Sequence, residues 1–354
     1  MVFLKYGIGI DVASQKFDVC VSLIDTSQSV KIKASRSFEN SPGGFNAFLV
    51  WIDKHCKLPI ERVFLMEATG VYFEQLAWFL FKAKESVSVV LPTRAKRYMQ
   101  SLGLKSKNDS IDAKGLARMA CEQQVRLWKP ISENLYIIRI HTRQIERLNG
   151  QITQMNNQLH AMQRGMYRDK SIERMMTLNI SRLKMQREKL EKSIENIVQR
   201  DTALSERFEN ICQIKGLGML TLAVIIAETD GFALIENQSQ LVSYAGYDVV
   251  ENQSGKRVGK TRISKKGNNH IRRALHMPAL NMVRYKHDHF ANLYERIYKR
   301  TAIKMKGYVA IQKKLLVVIY TLWKNNQTYD PNYHKISLDE EMAPSFVTSQ
   351  KQLP

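Results

Sequence analysis

Hydrophobic and polar positions change period twice along the chain. Near the start, Tyr6-Gly7-Ile8-Gly9-Ile10-Asp11-Val12-Ala13 is an apolar run with two glycines and one carboxylate at its end. With a second apolar run from Phe17 to Leu23, it predicts a strand entering a hairpin. Val30 to Phe38 predicts a third strand. Ser41-Pro42-Gly43-Gly44 then opens a helix to about Cys56, with Phe45, Phe48, Leu49 and Ile52 at helical spacing and Pro42 suited to its first turn. Arg62 to Met66 predicts a short strand ending in Glu67-Ala68-Thr69-Gly70. A helix follows from about Tyr72 to Lys82, and a last strand, Ser86 to Leu91, is stopped by Pro92. Three strands, then helix, strand, helix, strand is a mixed α/β pattern, here assigned to residues 1–130.

The period then lengthens. Ile138, Ile145, Ile152 and Leu159 recur every seven residues, with Leu148, Met155 and Met162 interleaved. This is an a/d seam with His141 as its polar interruption. A second seam runs through Met176, Ile180, Leu183, Leu190, Ile194 and Ile197, with Arg187 at a core-type position. Arg164 to Lys170 supplies a reversal. Two helices of about 30 residues, each about 45 Å long, predict a coiled-coil helical hairpin over 131–205. Packing within one subunit and pairing between subunits are both open for it.

A second globular unit is expected over 206–330. Its first motif, Ile214-Lys215-Gly216-Leu217-Gly218-Met219, places Gly-x-Gly between two helical patterns. Backbone amides there can approach a phosphate, in the manner of a helix-hairpin-helix, and a tight interhelix turn is the rival reading. Lys256, Arg257, Lys260, Arg262, Lys265, Lys266, Arg272 and Arg273 follow with no acid among them. A solvated helix face mixes signs; an unbroken basic loop reads as a phosphate-contacting surface. Residues 331–354 hold three prolines and few apolar side chains, the composition of a disordered tail.

Charge sharpens this. The 354 residues carry a net charge of +21, which points to a polyanion, most commonly nucleic acid. The excess is +5 over 1–125, +7 over 126–205, +10 over 206–330 and −1 over 331–354. No run of about 18 apolar residues predicts a membrane span, and the first residues lead into a strand and not a signal peptide. Cys20, Cys56, Cys121 and Cys212 are scattered without zinc or redox spacing, as expected of reduced thiols in a cytoplasmic, nucleoid-associated protein.

The carboxylates carry the chemistry. Asp11 alone is a turn residue or a metal ligand. Glu67 ends a second β-run as Asp11 ends the first, so adjacent strands would bring them to one sheet edge. Asp109 and Asp112 lie three apart at the start of a helical pattern, on one face. Helix capping explains such a pair in isolation. Four acids at element ends in one domain of a basic protein instead suit Mg²⁺, which takes hard oxygen ligands and assists attack on a phosphodiester.

Gly9-Ile10-Asp11, Glu67-Ala68-Thr69-Gly70 and Asn108-Asp109-Ser110-Ile111-Asp112-Ala113 resemble the successive motifs of the DEDD transposases of the insertion-sequence-110 family, relatives of the pilin-gene-inverting recombinases. Tyr244-Ala245-Gly246, Gln253-Ser254-Gly255, Ser264-Lys265-Lys266-Gly267-Asn268 and Arg272-Arg273-Ala274-Leu275 resemble the family's second domain. The resemblance spans about residues 5–330. It implies an α/β RNase H-like, RuvC-like domain whose Asp11, Glu67, Asp109 and Asp112 bind Mg²⁺, two ions being expected. It further implies a mainly α-helical C-terminal transposase domain whose Ser254 attacks DNA and is held as a phosphoserine, with Ser264 ranked second. Donor and target DNA, a bridge guide RNA and a homodimer assembling to a tetramer are the implied partners. Lys215, Gly216, Gly218 and the eight basic residues from Lys256 to Arg273 are the expected nucleic-acid contacts, and His270 and His276 are expected to pack or touch phosphate. Two alternatives remain: a RuvC-type junction nuclease using metal-activated water, which needs the acids but not Ser254, and a non-catalytic nucleic-acid-binding protein.

Overall fold

The structure is a computed structural model that describes residues 2–68, 70–103, 109–233, 235–250, 253–254, 257–258, 262–286 and 288–330. The expected tail, 331–354, lies outside them. The chain divides into two compact units, Met1–Pro130 and Ile131–Pro354.

The first unit is built on a five-stranded sheet in the order β3-β2-β1-β4-β5. Its strands are β1 (Phe3–Val12), β2 (Lys16–Asp25), β3 (Val30–Glu39), β4 (Glu61–Glu67) and β5 (Ser86–Val90). β1, β2 and β3 form an antiparallel meander, whereas β4 pairs parallel to β1 and β5 parallel to β4. This mixed order is the RNase H-like arrangement the pattern predicted. Strand alternation sorts the side chains between two faces. One face packs Tyr6, Ile8, Ile10, Phe17, Val19, Phe64 and Met66 against α1 (Pro42–His55) and α2 (Glu74–Lys82). The Ser41 hydroxyl caps α1 by accepting from Gly44 N. Burial of Phe45, Phe48, Trp51 and Ile52 contributes about 1.5–3 kcal/mol each.

The other face packs Val63, Leu65 and Val90 against α3 (Pro92–Ser101) and α4 (Asp109–Glu122). The pattern does not predict α3. Pro92 stops the strand and also serves as the first helical residue, and few of the ten residues of α3 are apolar.

In the second unit, α5 (Glu133–Gln163) and α6 (Lys170–Arg200) are 31 residues each and pack together as a helical hairpin. Ser132 and Asp169 cap their starts. Leu135, Ile138, Ile145, Ile194 and Val198 share one core with the helices that follow. The base of the hairpin is therefore part of that core. Those helices are α7 (Thr202–Cys212), α8 (Met219–Thr229), α9 (Gln238–Ala245), α10 (Asn269–Ala274), α11 (His276–Arg284), α12 (Asp288–Thr301) and α13 (Lys304–Asn325). Between α9 and α10 lie two short antiparallel ladders. β6 (Val249–Val250) pairs with β9 (Arg262–Ile263), and β7 (Gln253–Ser254) pairs with β8 (Arg257–Val258). Among the described residues no helix is long and apolar enough to cross a membrane. All four cysteines are free thiols.

Candidate active site

The glycines of β1 decide where α4 lies. A Cβ on Gly7 would sit 2.3 Å from the Ala117 carbonyl oxygen, and one on Gly9 would sit 2.1 Å from both the Ala113 carbonyl oxygen and the Ala117 nitrogen. The helix backbone therefore rests directly on the strand, and Ala113 and Ala117 pack with Cys20 from β2. Four helical residues rise about 6 Å and two strand residues about 6.6 Å, so the two elements keep step. Gly7 meets 117 and 121, Gly9 meets 113 and 117, and one further step sets Asp11 toward the start of α4, where residues 109 and 112 lie.

Glu67 arrives on the same face. Leu65 points toward α4, and Glu67 is two residues further along β4. The pairing of Ile10 with Met66 makes Asp11 and Glu67 neighbours across the parallel ladder. Asp11, Glu67 and Asp112 are each half-buried. The side chain of Asp109 lies outside the described part, as do Thr69 and residues 104–108. Among the described residues no three His, Cys, Asp or Glu side chains are grouped tightly enough to hold one ion. What the described residues show is Asp11 and Glu67 at adjacent positions on one sheet edge, with the start of α4 on the same face; carboxylate oxygens are the hard donors that divalent cations take.

One acid at this edge was not singled out from the sequence. Asp18 pairs directly with Asp11 in the β1–β2 ladder. Its carboxylate accepts from Lys16 Nζ at 3.1 Å and from the Ser37 hydroxyl. In the sequence Asp18 stands opposite the apolar stripe of Phe17, Val19 and Val21, where an acid is unremarkable, and only the register brings it beside Asp11.

The residues expected on DNA belong to the second unit. Ser254 pairs with Arg257 on the β7–β8 ladder; the side chains of both, and residues 255, 256, 259 and 260, lie outside the described part. Two expected contacts, Lys256 and Lys260, fall among these. Lys215, Arg262, Lys265 and Lys266 are exposed. Gly218 caps α8 with no side-chain hydrogen bond. Gly216 has φ +89°, and a Cβ on it would sit 3.1 Å from Asn281 Cβ, so packing against α11 also requires a glycine there. Arg272 and Arg273 are bound within the protein. The Arg272 guanidinium donates to the carbonyls of Ala245 (2.7 Å) and Asn268 (3.2 Å), and Arg273 pairs with Glu146. Arg272 thus has a structural use that a basic run alone does not disclose. Ser264 accepts from Lys266 N at 3.3 Å, an ordinary turn contact. His270 bonds Glu146, and His276 lies 3.3 Å from Gln312 Nε2.

A second group missed from sequence surrounds Glu228 on α8. Arg143 donates Nε to Oε1 at 2.7 Å and Nη2 to Oε2 at 3.0 Å, and Asn268 donates to Oε2 at 2.7 Å. Burial pushes the Glu228 carboxyl up, but the bonds from Arg143 and Asn268 and the Arg143 charge outweigh it and leave the group below the ordinary carboxylate range. An acid inside the apolar run Leu220 to Thr229 was the available signal.

An RNase H-like sheet edge carrying acids, joined in one chain to a basic helical unit, defines an enzyme acting on DNA. Family comparison agrees. Residues 8–167 match the DEDD transposase model of IS110, and residues 208–295 match the model described as "Transposase IS116/IS110/IS902 family". The chain belongs to the IS110 family of DEDD transposases. It is 28% identical over 334 residues to the pilin gene-inverting proteins of Moraxella bovis and Moraxella lacunata, covering 94% of this chain and 99% of each relative. RuvC from Thermus thermophilus aligns with 34% of this chain and 98% of its own at 15% identity, with a TM-score of 0.27. That likeness is too slight to carry the fold, which rests on the sheet order.

Proposed function

We propose that this transposase moves an insertion sequence by site-specific strand cleavage and exchange through a covalent serine–DNA intermediate. In the first step Ser254 Oγ attacks a backbone phosphorus. The Oγ–P bond forms, the P–O3′ bond breaks, and the hydroxyl proton ends on the departing 3′ oxygen. The products are a 5′-phosphoserine and a free 3′ hydroxyl. Asp11, Glu67, Asp109 and Asp112 would hold Mg²⁺, with two ions expected. Bound there, the metal lowers the cost of negative charge on the phosphate and the leaving oxygen. The exposed cations Lys215, Arg262, Lys265 and Lys266 hold the DNA backbone. Resemblance to the family supports a bridge RNA that pairs with donor and target DNA, and a homodimer assembling to a tetramer. It also supports the division into a catalytic domain (1–130), a coiled-coil hairpin (131–205), a serine-bearing domain (206–330) and a tail (331–354).

The observation that carries this reading is the adjacency of Asp11 and Glu67 on the sheet face crossed by the start of α4. Trapping protein–DNA adducts tests it. Ser254→Ala is expected to abolish the adduct, and Asp11→Asn to abolish it while DNA is still retained. Cleavage without an adduct in Ser254→Ala would favour a metal-activated water, the junction-nuclease alternative. Loss of site-specific cleavage on ribonuclease treatment tests RNA guidance.

A further inference from the structure

Glu228 is a costly residue in its place. Its side chain is 1% exposed on a helix whose other residues are almost all apolar. Removing a carboxylate from water costs several kcal/mol unless its lone pairs are satisfied. Here they are satisfied by residues distant in sequence, Arg143 on α5 and Asn268 at the start of α10. The Glu228 backbone oxygen also accepts from the Tyr244 hydroxyl of α9 at 2.7 Å.

Asn268 extends this tie into the loop before α10. Its side-chain oxygen accepts from His270 N and Ile271 N, and its own N–H donates to Tyr244 O at 2.7 Å. The preceding residue, Gly267, has no room for a side chain: a Cβ there would sit 2.5 Å from Gly246 N and from Tyr244 O. Lys265 N donates to Gly246 O at 3.1 Å and Ser264 N to Asp248 O at 2.7 Å. Two backbone segments, 244–248 and 264–268, are thereby pinched together. The chain leaving this pinch forms the β6–β9 ladder and then the β7–β8 ladder, in which Ser254 pairs with Arg257. Glu146, one turn beyond Arg143 on the same face of α5, adds a second tie through His270 and Arg273.

We propose that Glu228 is a positioning residue: through Arg143 and Asn268 it locks the base of the arm carrying Ser254 into one pose. This rests on Ser254 as the nucleophile. Stability alone does not call for a charge here, because a buried ion pair replaced by apolar groups of similar volume is often neutral or stabilising. Directional bonds to Arg143 and Asn268 instead fix an orientation, and a misplacement of about 1 Å can cost a hundredfold in rate.

The test compares the full-length protein with the paired variant Arg143→Met/Glu228→Leu and with Glu228→Gln, which keeps the side-chain shape. Hydrogen exchange of residues 249–263, melting temperature, affinity for substrate DNA and the single-turnover rate of adduct formation are read. The expected result is faster amide exchange in 249–263 and an adduct rate lower by roughly tenfold to a hundredfold, with DNA affinity unchanged. Glu228→Gln is expected to change both in the same direction even if the paired variant does not fold. Unaltered exchange and adduct rate in a folded variant would overturn the proposal. Failure of the serine reading is separately visible, as normal cleavage by Ser254→Ala.

Discussion

Asp18 faces Asp11 across the antiparallel ladder of β1 and β2, on the sheet side covered by α4. Like charges placed directly opposite on a sheet destabilise it, while Lys16 and the Ser37 hydroxyl bond the Asp18 carboxylate. Asp18→Asn is therefore expected to raise the melting temperature in the presence of a chelator. It is also expected to raise, several-fold, the Mg²⁺ concentration needed for half-maximal cleavage. A calorimetric melt and a metal titration check the two effects, and an unchanged metal requirement would separate Asp18 from the site.

The contact of β1 with α4 leaves no space for a methyl group at Gly9. Gly9→Ala places a carbon 2.1 Å from backbone atoms of Ala113 and Ala117, which cannot rotate away as a side chain can. A loss of about 3 kcal/mol or more is expected, with cleavage lost as α4 moves. Gly43→Ala, where nothing lies within 4 Å, is the control and should melt like the parent protein.

His141 occupies a seam position on α5, and its Nδ1 is buried with no hydrogen-bond partner. Burial lowers the imidazole below its ordinary value of 6.5. The folded state thus binds protons less readily than the unfolded chain, so the associated stability is present above about pH 6.5 and is lost as pH falls through the lower folded value. His141→Leu is expected to raise the melting temperature by about 2–4 °C near neutrality and by more at pH 5.5. A gain that does not grow on acidification would contradict the assignment.

Glu228 gives a second pH dependence, further into acid. Its folded carboxyl lies below the ordinary 4.5, so its contribution is complete above that value and is lost as pH falls through the folded one. Denaturant titrations from pH 6 to 3 should show a flatter acid limb for Glu228→Gln.

The basic residues divide into two kinds. Replacing Lys215 and Lys266 with Gln should reduce the dependence of log affinity on log salt by about 0.9 each on duplex DNA, with little change in melting temperature. Arg272→Gln should do the reverse, lowering the melting temperature because two carbonyls lose their donor. Equal salt slopes for all three variants would refute the division.

Strand and helix order in the first unit could be read from period, because each strand alternates and α1 repeats its apolar positions. α3 could not, since its few apolar residues contact other elements more than they mark a period. The seams of α5 and α6 were legible for the same reason as α1. Their fusion at the base with the helical core was not, because Ile138 and Ile145 have the same spacing whether they face a partner helix or a whole domain. Asp11, Glu67 and Asp112 stood out as acids at element ends. Asp18 and Glu228 did not, because an acid within a strand or helix acquires meaning only from what lies opposite.

By itself, then, the sequence determined the five strands of the first unit, α1, α2 and the two long helices of the second unit, the basic excess of that unit, and the motifs that place the chain among the DEDD transposases. These follow from local periodicity and from charge, which are additive along a chain. Only the tertiary structure decided that Asp11 neighbours both Glu67 and Asp18, that Gly7 and Gly9 admit a helix backbone, and that Arg272 turns inward while Lys266 stays exposed. Each of those depends on register and packing between distant segments, and a linear pattern does not encode the distance between residues that only folding brings together.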